Sequence, residues 1–288
     1  MTRTAGHLLG IGLFGATAWL LPAQDARQPP KVLLIVREDI KEGKSAAHEQ
    51  SESRFMRAAV AAKFPANILG MNAITGTAQA WFLEAYDSFE SIGKSRAAME
   101  KPELESIDAS DAEFRTSSRS WIAVYQPELS FHGRQLMQTL PKMRYFNVIP
   151  MRARPDHEQD FAELGKMAVA AFERSMDEQP MATYQIVSGA PNGTYILFEP
   201  CASLKTLDAA PERSHNMFQA MGDAGAKRFT KLAGETIAQT ETLLFAIDPK
   251  MSYVSQQVIA GDPAFWTPKR EEPAEPEKDA KGAGKGSK

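Results

Sequence analysis

The stretch that decides the fold is "AWFLEAYDSFESI" at residues 80–92, because a similar passage, "YILFEPCASLKTL", returns at residues 195–207. In each passage an apolar run ends in a glutamate, Glu84 or Glu199, and a serine follows four residues later, before another apolar run. This pattern is typical of a strand that turns into a helix. We therefore predict that one strand–turn–helix passage occurs twice in the chain.

Other passages match between the two halves in the same order. The matching pairs are residues 46–50 with 155–159, residues 59–62 with 168–171, and residues 125–131 with 247–253. The distance between the copies grows along the chain, as longer loops in the second copy would produce. Several matches in a constant order indicate a tandem duplication.

Both copies predict the same order of elements. In the first copy the second helix is predicted to start at Asp87 or Ser88, where Asp87 and Glu90 fit a capping box. The predicted elements are strands at 31–36, 68–75, 79–86 and about 120–126 with a helix at 44–63, and strands at 145–151, 183–189, 194–199 and about 241–248 with a helix at 156–176. The order β-α-β-β-α-β is the ferredoxin-like arrangement. The strands are apolar on both faces, and the helices of each copy bury only one face of the sheet. The sheet of the other copy is expected to bury the second face.

The N-terminus predicts export. Arg3 precedes an apolar run at residues 8–21 and a small-residue site ending at Ala23, which is the layout of a secretory signal peptide over residues 1–23. Residues 24–30 continue as a polar linker. We expect a periplasmic or extracellular protein that has no membrane contact after cleavage, with an uncleaved anchor as the alternative.

The rest of the chain divides into two units and their connections. We predict a ferredoxin-like unit over 31–131, a linker over 132–143 and a second unit over 144–254. Residues 255–288 form a C-terminal extension. It ends in a disordered tail, because from Thr267 onward charge, Pro and Gly leave nothing to bury.

Composition excludes several classes of protein. The chain has 288 residues, 43% of them hydrophobic and 24% charged, which is typical of globular proteins. A formal charge of −3 and a pI near 6.0 give no reason to expect a nucleic-acid partner. Cys201 is the only cysteine, so no intramolecular disulfide forms and stability depends on core burial.

The repeated strand–Glu–x–x–x–Ser passage and the element order resemble the dimeric α+β barrel superfamily. That superfamily includes antibiotic-biosynthesis-type monooxygenases, NIPSNAP-like proteins and chlorite-dismutase-like haem proteins. The resemblance covers residues 31–131 and 144–254. It implies an α+β fold in which two tandem ferredoxin-like units pack sheet to sheet as an intrachain α+β barrel. A pocket is expected inside the barrel or between sheet and helices, in a monomer or a homodimer.

His48 and His157 are the first catalytic candidates. Each opens a His-Glu-Gln passage shared by the two copies and is expected at the sheet-facing end of an apolar helical stripe, in the same place in each copy. Imidazole titrates near neutral pH and can serve as acid, base or ligand at a pocket edge. The structural alternative is a half-buried histidine hydrogen-bonded near a helix start. No second histidine follows either residue at a four-residue spacing, so the sequence predicts no metal site.

Glu84 and Glu199 are the second pair of catalytic candidates, because each ends an otherwise apolar strand. A carboxylate in that setting can have a raised pKa and act as a base. The alternative is that it caps the following helix or pairs with an arginine. Arg37 is one partner that the sequence offers to Glu84.

Aromatic residues on the central strands predict a ligand cavity. Trp81, Trp121, Tyr125 and Tyr195, together with Arg37, are the ligand-binding candidates. A cavity lined in this way suits a planar or apolar small molecule, whereas core packing is the alternative use of the same residues. No cofactor is expected from the residues themselves. The resemblance to haem proteins implies His215 as the axial candidate if haem is bound.

The interpretation that follows is an exported protein that binds an apolar or aromatic small molecule. A cofactor-independent monooxygenase or isomerase is one alternative, with His48 or His157 as proton acceptor. A non-catalytic structural or interaction scaffold is the other.

Overall fold

A computed structural model describes residues 28–267, so the predicted signal peptide and residues 268–288 of the predicted tail lie outside the described part. The strands are β1 (Val32–Ile40), β2 (Asn67–Ala73), β3 (Gln79–Tyr86), β4 (Arg115–Tyr125), β5 (Tyr145–Ala153), β6 (Ala182–Ser188), β7 (Thr194–Cys201), β8 (Ile237–Thr240) and β9 (Leu243–Ile247). The α-helices are α1 (Ser45–Ala61), α2 (Phe89–Met99), α3 (Pro102–Asp111), α4 (Gly133–Thr139), α5 (Glu158–Arg174), α6 (Lys205–Asp208), α7 (Ala210–Thr236), α8 (Gln256–Gly261) and α9 (Pro263–Trp266). Within this range no helix is both long and apolar enough to cross a membrane.

The sheet closes into a barrel made from one chain. The first half orders its strands β4-β1-β3-β2, and the second half orders them β6-β7-β5 followed by β8 and β9, which lie one after the other along the same edge of β5. All pairings are antiparallel. The halves join where β2 meets β9 and where β4 meets β6, which leaves eight strand positions around the barrel. The predicted pair of ferredoxin-like units in an intrachain α+β barrel is confirmed.

Alternation along the strands gives the barrel two apolar faces. One face of β1 points inward with Leu33 and Ile35, and the opposite face meets the helices. The inward side chains are buried and pack in one cluster that both halves share; among them are Leu33, Ile35, Met71, Trp81, Leu83, Val148, Tyr184, Ile196, Phe198 and Phe245. The interior of the barrel is therefore a packed core.

The linker between the halves and the C-terminal extension both contain helices that pack on this core. Leu136 of α4 and Trp266 of α9 are buried in the interior cluster. The Trp266 indole donates a hydrogen bond to the carbonyl oxygen of Pro141 at 2.9 Å. Because Gly133 packs against Tyr125, these helices lie at the end of the barrel where β4 finishes.

The second helical region of the first half differs in detail from its prediction. It consists of two helices, because Pro102 starts α3 and disfavours helical backbone in the residue before it. The predicted capping box is wrong in its residues: Ser88, in extended backbone, accepts the hydrogen bond from the Ser91 amide and caps α2. Asp87 therefore lies one residue before the cap.

Candidate functional site

Four side chains that could bind a metal or a proton meet between the sheet and the helices of the first half. Glu38 comes from β1, His48 and Glu52 from α1, and Asp111 from the end of α3. Glu38 follows Val32, Leu34 and Val36 on the face of β1 that the helices cover, and His48 and Glu52 lie one helical turn apart. Their exposed fractions are 2%, 1%, 8% and 0% in chain order. We call these four residues the buried cluster.

The buried cluster is held by short polar contacts. His48 Nε2 lies 2.8 Å from Glu38 Oε2 and 3.4 Å from Asp111 Oδ2. Arg115, the first residue of β4, donates from Nη1 to the other oxygen of Glu38 and from Nη2 to Asp108 at 2.8 Å. One ligand atom from each of the four cluster residues lies within 4.8 Å of the others. The arrangement brings three carboxyl groups and one imidazole to a single point.

Burial and mutual repulsion change the protonation of these carboxyl groups. Burial, together with the nearby Glu38 and Asp111, raises the pKa of Glu52 well above its usual range. Burial also raises the pKa of Asp111. Burial opposes ionisation of Glu38 as well, but hydrogen bonds from His48 and Arg115 outweigh it and lower that pKa. Glu38 is therefore the carboxylate that Arg115 neutralises, while Glu52 and Asp111 favour protons or a cation.

His157 lies in a different setting from His48. It directly precedes α5, which begins at Glu158, whereas His48 lies inside the first turn of α1. Its ring contacts Asp160 at 2.7 Å, and the two side chains are 39% and 43% exposed. The expectation that the two histidines occupy equivalent positions is wrong, because the two helices start at different points relative to the shared His-Glu-Gln passage.

Glu84 and Arg37 point to opposite faces of the sheet. Glu84 lies on the helix-facing side and accepts a hydrogen bond from the Tyr86 hydroxyl, and burial raises its pKa. Arg37 lies inside the barrel with its guanidinium carbon 4.4 Å from the Trp81 ring centre and 4.1 Å from that of Trp121. Burial and the nearby Arg119 lower the pKa of Arg37 to about 10. The suggested pair of Arg37 with Glu84 is therefore not formed.

The predicted aromatic residues do not gather around one cavity. Trp81 is fully buried and packs against Phe245, with ring centres 4.8 Å apart. Tyr125 pairs with Tyr184 nearer the other end of β4. Tyr195 lies outside the barrel, where it stacks on Phe161 of α5 at 4.1 Å. Arg37, Trp81 and Trp121 are brought together, and the remaining two candidates are separated from them.

A groove of about 380 Å³ lies in the second half, beside β7 and the start of α7. Its lining combines apolar residues, among them Met143, Pro180 and Pro200, with the polar residues Gln135, Asp177 and Arg213. Arg213 Nε donates to Asp177 Oδ2 at 3.0 Å, and its Nη2 lies 3.6 Å from Glu199 Oε1.

Glu199 and Cys201 lie close to this groove on β7. Glu199 also accepts a hydrogen bond from the side-chain amide of Asn147 at 2.8 Å. This catalytic candidate from the sequence therefore contacts both Asn147 and Arg213. Cys201 is a buried free thiol whose pKa is raised by burial. This thiol therefore packs as a small apolar group.

His215 is exposed on α7 and forms its hydrogen bond with Gln219 on the same helix at 2.8 Å. It does not line the groove described above. An axial haem ligand must point into a cavity large enough for the macrocycle. The exposed ring of His215, hydrogen-bonded along its own helix, does not fit this requirement. Haem stays an expectation of the fold resemblance alone.

Sequence reasoning missed most of the buried cluster. A signal for three members was present, because Glu38 interrupts an apolar alternation and His48 and Glu52 share a helix face. Asp111 and Arg115 lie far from them in the chain, so no local pattern could join them to the site. The expectation of no metal site rested on motifs in which the ligands are a few residues apart. Ligands that come from separate strands and helices do not form such a motif.

No family model and no curated protein matches the chain. Among solved structures, it is similar to a provisionally named monooxygenase from Fusobacterium nucleatum, with 10% identity, a TM-score of 0.51 and coverage of 76% of this chain and 93% of that chain. It is also similar to one from Lactobacillus acidophilus at 8% identity and a TM-score of 0.48, covering 75% and 93%. A provisionally named chlorite dismutase shows 17% identity and a TM-score of 0.48, covering 81% and 98%.

At 10% identity the likeness to the Fusobacterium nucleatum protein concerns the fold alone and carries no residue roles. The chain has an α+β barrel fold in which one polypeptide supplies both ferredoxin-like halves.

Proposed function

We propose that the chain is an exported protein that binds a small molecule in the groove of its second half. The observation that carries this proposal is the groove itself, whose volume of about 380 Å³ falls within the range of small-molecule sites. The barrel interior is filled by its own aromatic side chains. The groove is therefore a better place for a ligand than the cavity expected from the aromatic residues.

The lining of the groove favours a ligand that is largely apolar and carries one hydrogen-bond acceptor. Asp177 fixes Arg213 through Nε, and Glu199 Oε1 lies 3.6 Å from Nη2, so within residues 28–267 Nη1 is the guanidinium nitrogen that no carboxylate contacts. An oriented guanidinium with an uncommitted donor suits a carbonyl or an acidic oxygen. Met143 and Pro200 add apolar surface to the same lining.

Catalysis at His48 is not part of the proposal. The ring is 1% exposed and contacts Glu38 and Asp111, so a substrate has no surface of the imidazole to approach. The monooxygenase names of similar structures agree with the enzyme alternative at the level of the fold. Export is proposed from the layout of residues 1–23, and detection of a mature chain beginning at Gln24 outside the cytoplasm tests it.

Filling the groove tests the proposed binding site. Ala209 is exposed and lines the groove, so Ala209→Trp should occupy it without touching the barrel core. The probe is 1-anilinonaphthalene-8-sulfonate, which combines an apolar ring system with an anionic group for Arg213. We expect saturable fluorescence with the natural chain and at least a tenfold weaker Kd with Ala209→Trp, since the indole excludes the probe.

Ala112→Trp is the matched control, because Ala112 is an exposed alanine at the end of α3 in the first half. This variant should bind the probe as the natural chain does. Equal Kd values for the natural chain and Ala209→Trp would contradict the assignment of the groove as the ligand site.

A further inference from the structure

The buried cluster carries more negative charge than its surroundings neutralise. Glu38, Glu52 and Asp111 are each at least nine-tenths buried, and Arg115 is the cation that contacts Glu38 and lies 3.7 Å from Asp111. Three ionised carboxylates with one guanidinium leave two uncompensated negative charges if His48 is neutral and one if His48 is protonated. Buried charge without a counter-charge is costly, so the site requires protons or a divalent cation.

Asp111 is the second observation that points to a ligand. Within residues 28–267 neither of its carboxylate oxygens makes a hydrogen bond of good geometry, although the side chain is fully buried and faces the other three ligand atoms. Its Oδ2 only approaches His48 Nε2 at 3.4 Å and Arg115 Nη1 at 3.7 Å. Buried polar atoms in native proteins are nearly always well paired, so a buried carboxylate with only these long contacts at a point of convergence points to a ligand between the four residues.

We propose that Glu38, His48, Glu52 and Asp111 bind one divalent transition-metal ion in a closed, four-ligand site. In tetrahedral geometry a metal about 2.1 Å from each ligand holds the ligand atoms about 3.4 Å apart. The present separations of up to 4.8 Å therefore need a contraction of up to about 1.4 Å, which side-chain rotation in the three carboxylates can supply. Arg115 keeps its contact with the second oxygen of Glu38 and orients that carboxylate.

The donor set selects among cations. Three carboxylates and one imidazole in a dry, four-ligand site fit Zn²⁺, which accepts nitrogen and oxygen ligands in tetrahedral geometry. Ca²⁺ needs about six to eight oxygen ligands, and Mg²⁺ usually keeps several waters. With four protein ligands and full burial, the ion would join β1 to α1 and α3 as a structural centre. This inference does not depend on the groove in the second half.

Zn²⁺ binding to the full-length, tag-free chain tests the proposal. After removal of metals with EDTA, calorimetric titration with Zn²⁺ should give one ion per chain, and a several-fold excess of Ca²⁺ or Mg²⁺ should not compete. Glu52→Gln and Asp111→Asn keep side-chain shape and remove a ligand charge. Each should weaken the Zn²⁺ Kd about tenfold or more. Glu84→Gln, a partly buried carboxyl group outside the cluster, is the matched control and should bind as the natural chain does.

Two further readouts separate a metal site from a merely structural cluster. Zn²⁺ binding should release protons, so the heat should depend on buffer ionisation and the affinity should rise with pH. Zn²⁺ at about 100 times its Kd should raise the Tm of the natural chain by roughly 5 °C or more and leave that of Asp111→Asn unchanged. An absence of stoichiometric binding by the folded natural chain, or equal Kd values in Glu52→Gln, Asp111→Asn and Glu84→Gln, would overturn the proposal.

Discussion

Single residues in this protein behave according to the face on which they lie. Arg37 and Glu38 are neighbours in β1, yet Arg37 stacks between two tryptophan rings inside the barrel while Glu38 enters the buried cluster outside it. Strand alternation separates them completely. The chemistry of each charge is therefore set by neighbours that come from other elements.

Glu52 predicts a pH-dependent stability in the metal-free protein. Its pKa is raised on folding, so its contribution is favourable below its ordinary pKa and is lost as the pH rises towards the folded value. In EDTA, Glu52→Gln should therefore unfold like the natural chain in mild acid and become increasingly more stable than it at higher pH. The gain approaches about 1.4 kcal/mol per pH unit in that window.

Urea unfolding followed by circular dichroism at several pH values measures this difference. Glu105→Gln is the control, because Glu105 is an exposed glutamate on α3. A Glu52→Gln variant that stays less stable than the natural chain at every pH would show that the carboxylate is favourably paired.

At the scale of elements, short helices outside the repeated units complete the barrel. α4 lies in the linker and α9 in the C-terminal extension, and both place large apolar side chains into the interior cluster. A helix of four residues such as α9 has almost no stability of its own. Its position therefore depends on the burial of Trp266 and on the indole hydrogen bond to Pro141.

Trp266→Ala tests the contribution of α9 to stability. The side chain is 5% exposed, so its removal leaves a large cavity, and we expect a loss of about 3–5 kcal/mol in the free energy of unfolding. Phe89→Ala is the control, because Phe89 is 55% exposed and should change stability by less than about 0.5 kcal/mol. Equal stabilities in chemical denaturation would show that α9 is not part of the cooperative core.

At the scale of the whole molecule, the two halves are joined by backbone contacts at both seams. At one seam Gly70 of β2 approaches the second half closely: its amide donates to Ser252 Oγ at 3.0 Å, and its carbonyl accepts from the Asp248 amide at 2.9 Å. A Cβ at this position would lie 2.2 Å from the carbonyl oxygen of Met251. Glycine is therefore required by the contact between halves.

Gly70→Ala should destabilise the protein by about 3 kcal/mol or more, because the clash is with backbone and cannot be relieved by a rotamer change. Gly93→Ala is the matched control. Its Cβ would meet no atom within 4 Å on α2, so it should stabilise the chain by about 0.5–1 kcal/mol. A Gly70→Ala chain with unchanged urea midpoint would contradict the proposed role of this seam.

The duplicated passages determined the fold from the sequence alone. Strand alternation, helix periodicity and turn residues are local, so the β-α-β-β-α-β order of each half and the need for a second apolar cover could be predicted. The same local patterns correctly predicted that Trp81 and Trp121 lie on central strands. It also marked His48 as unusual, although without its partners.

Only the tertiary structure decided which polar residues meet. Glu38 and Glu52 lie on consecutive elements, whereas Asp111 is far from both in the chain, and their convergence depends on how β1, α1 and α3 pack. The groove likewise arises where the linker, β7 and the start of α7 come together. Burial, charge balance and cavity volume are properties of that packing, and for this reason periodicity and motifs predict the barrel but not its sites.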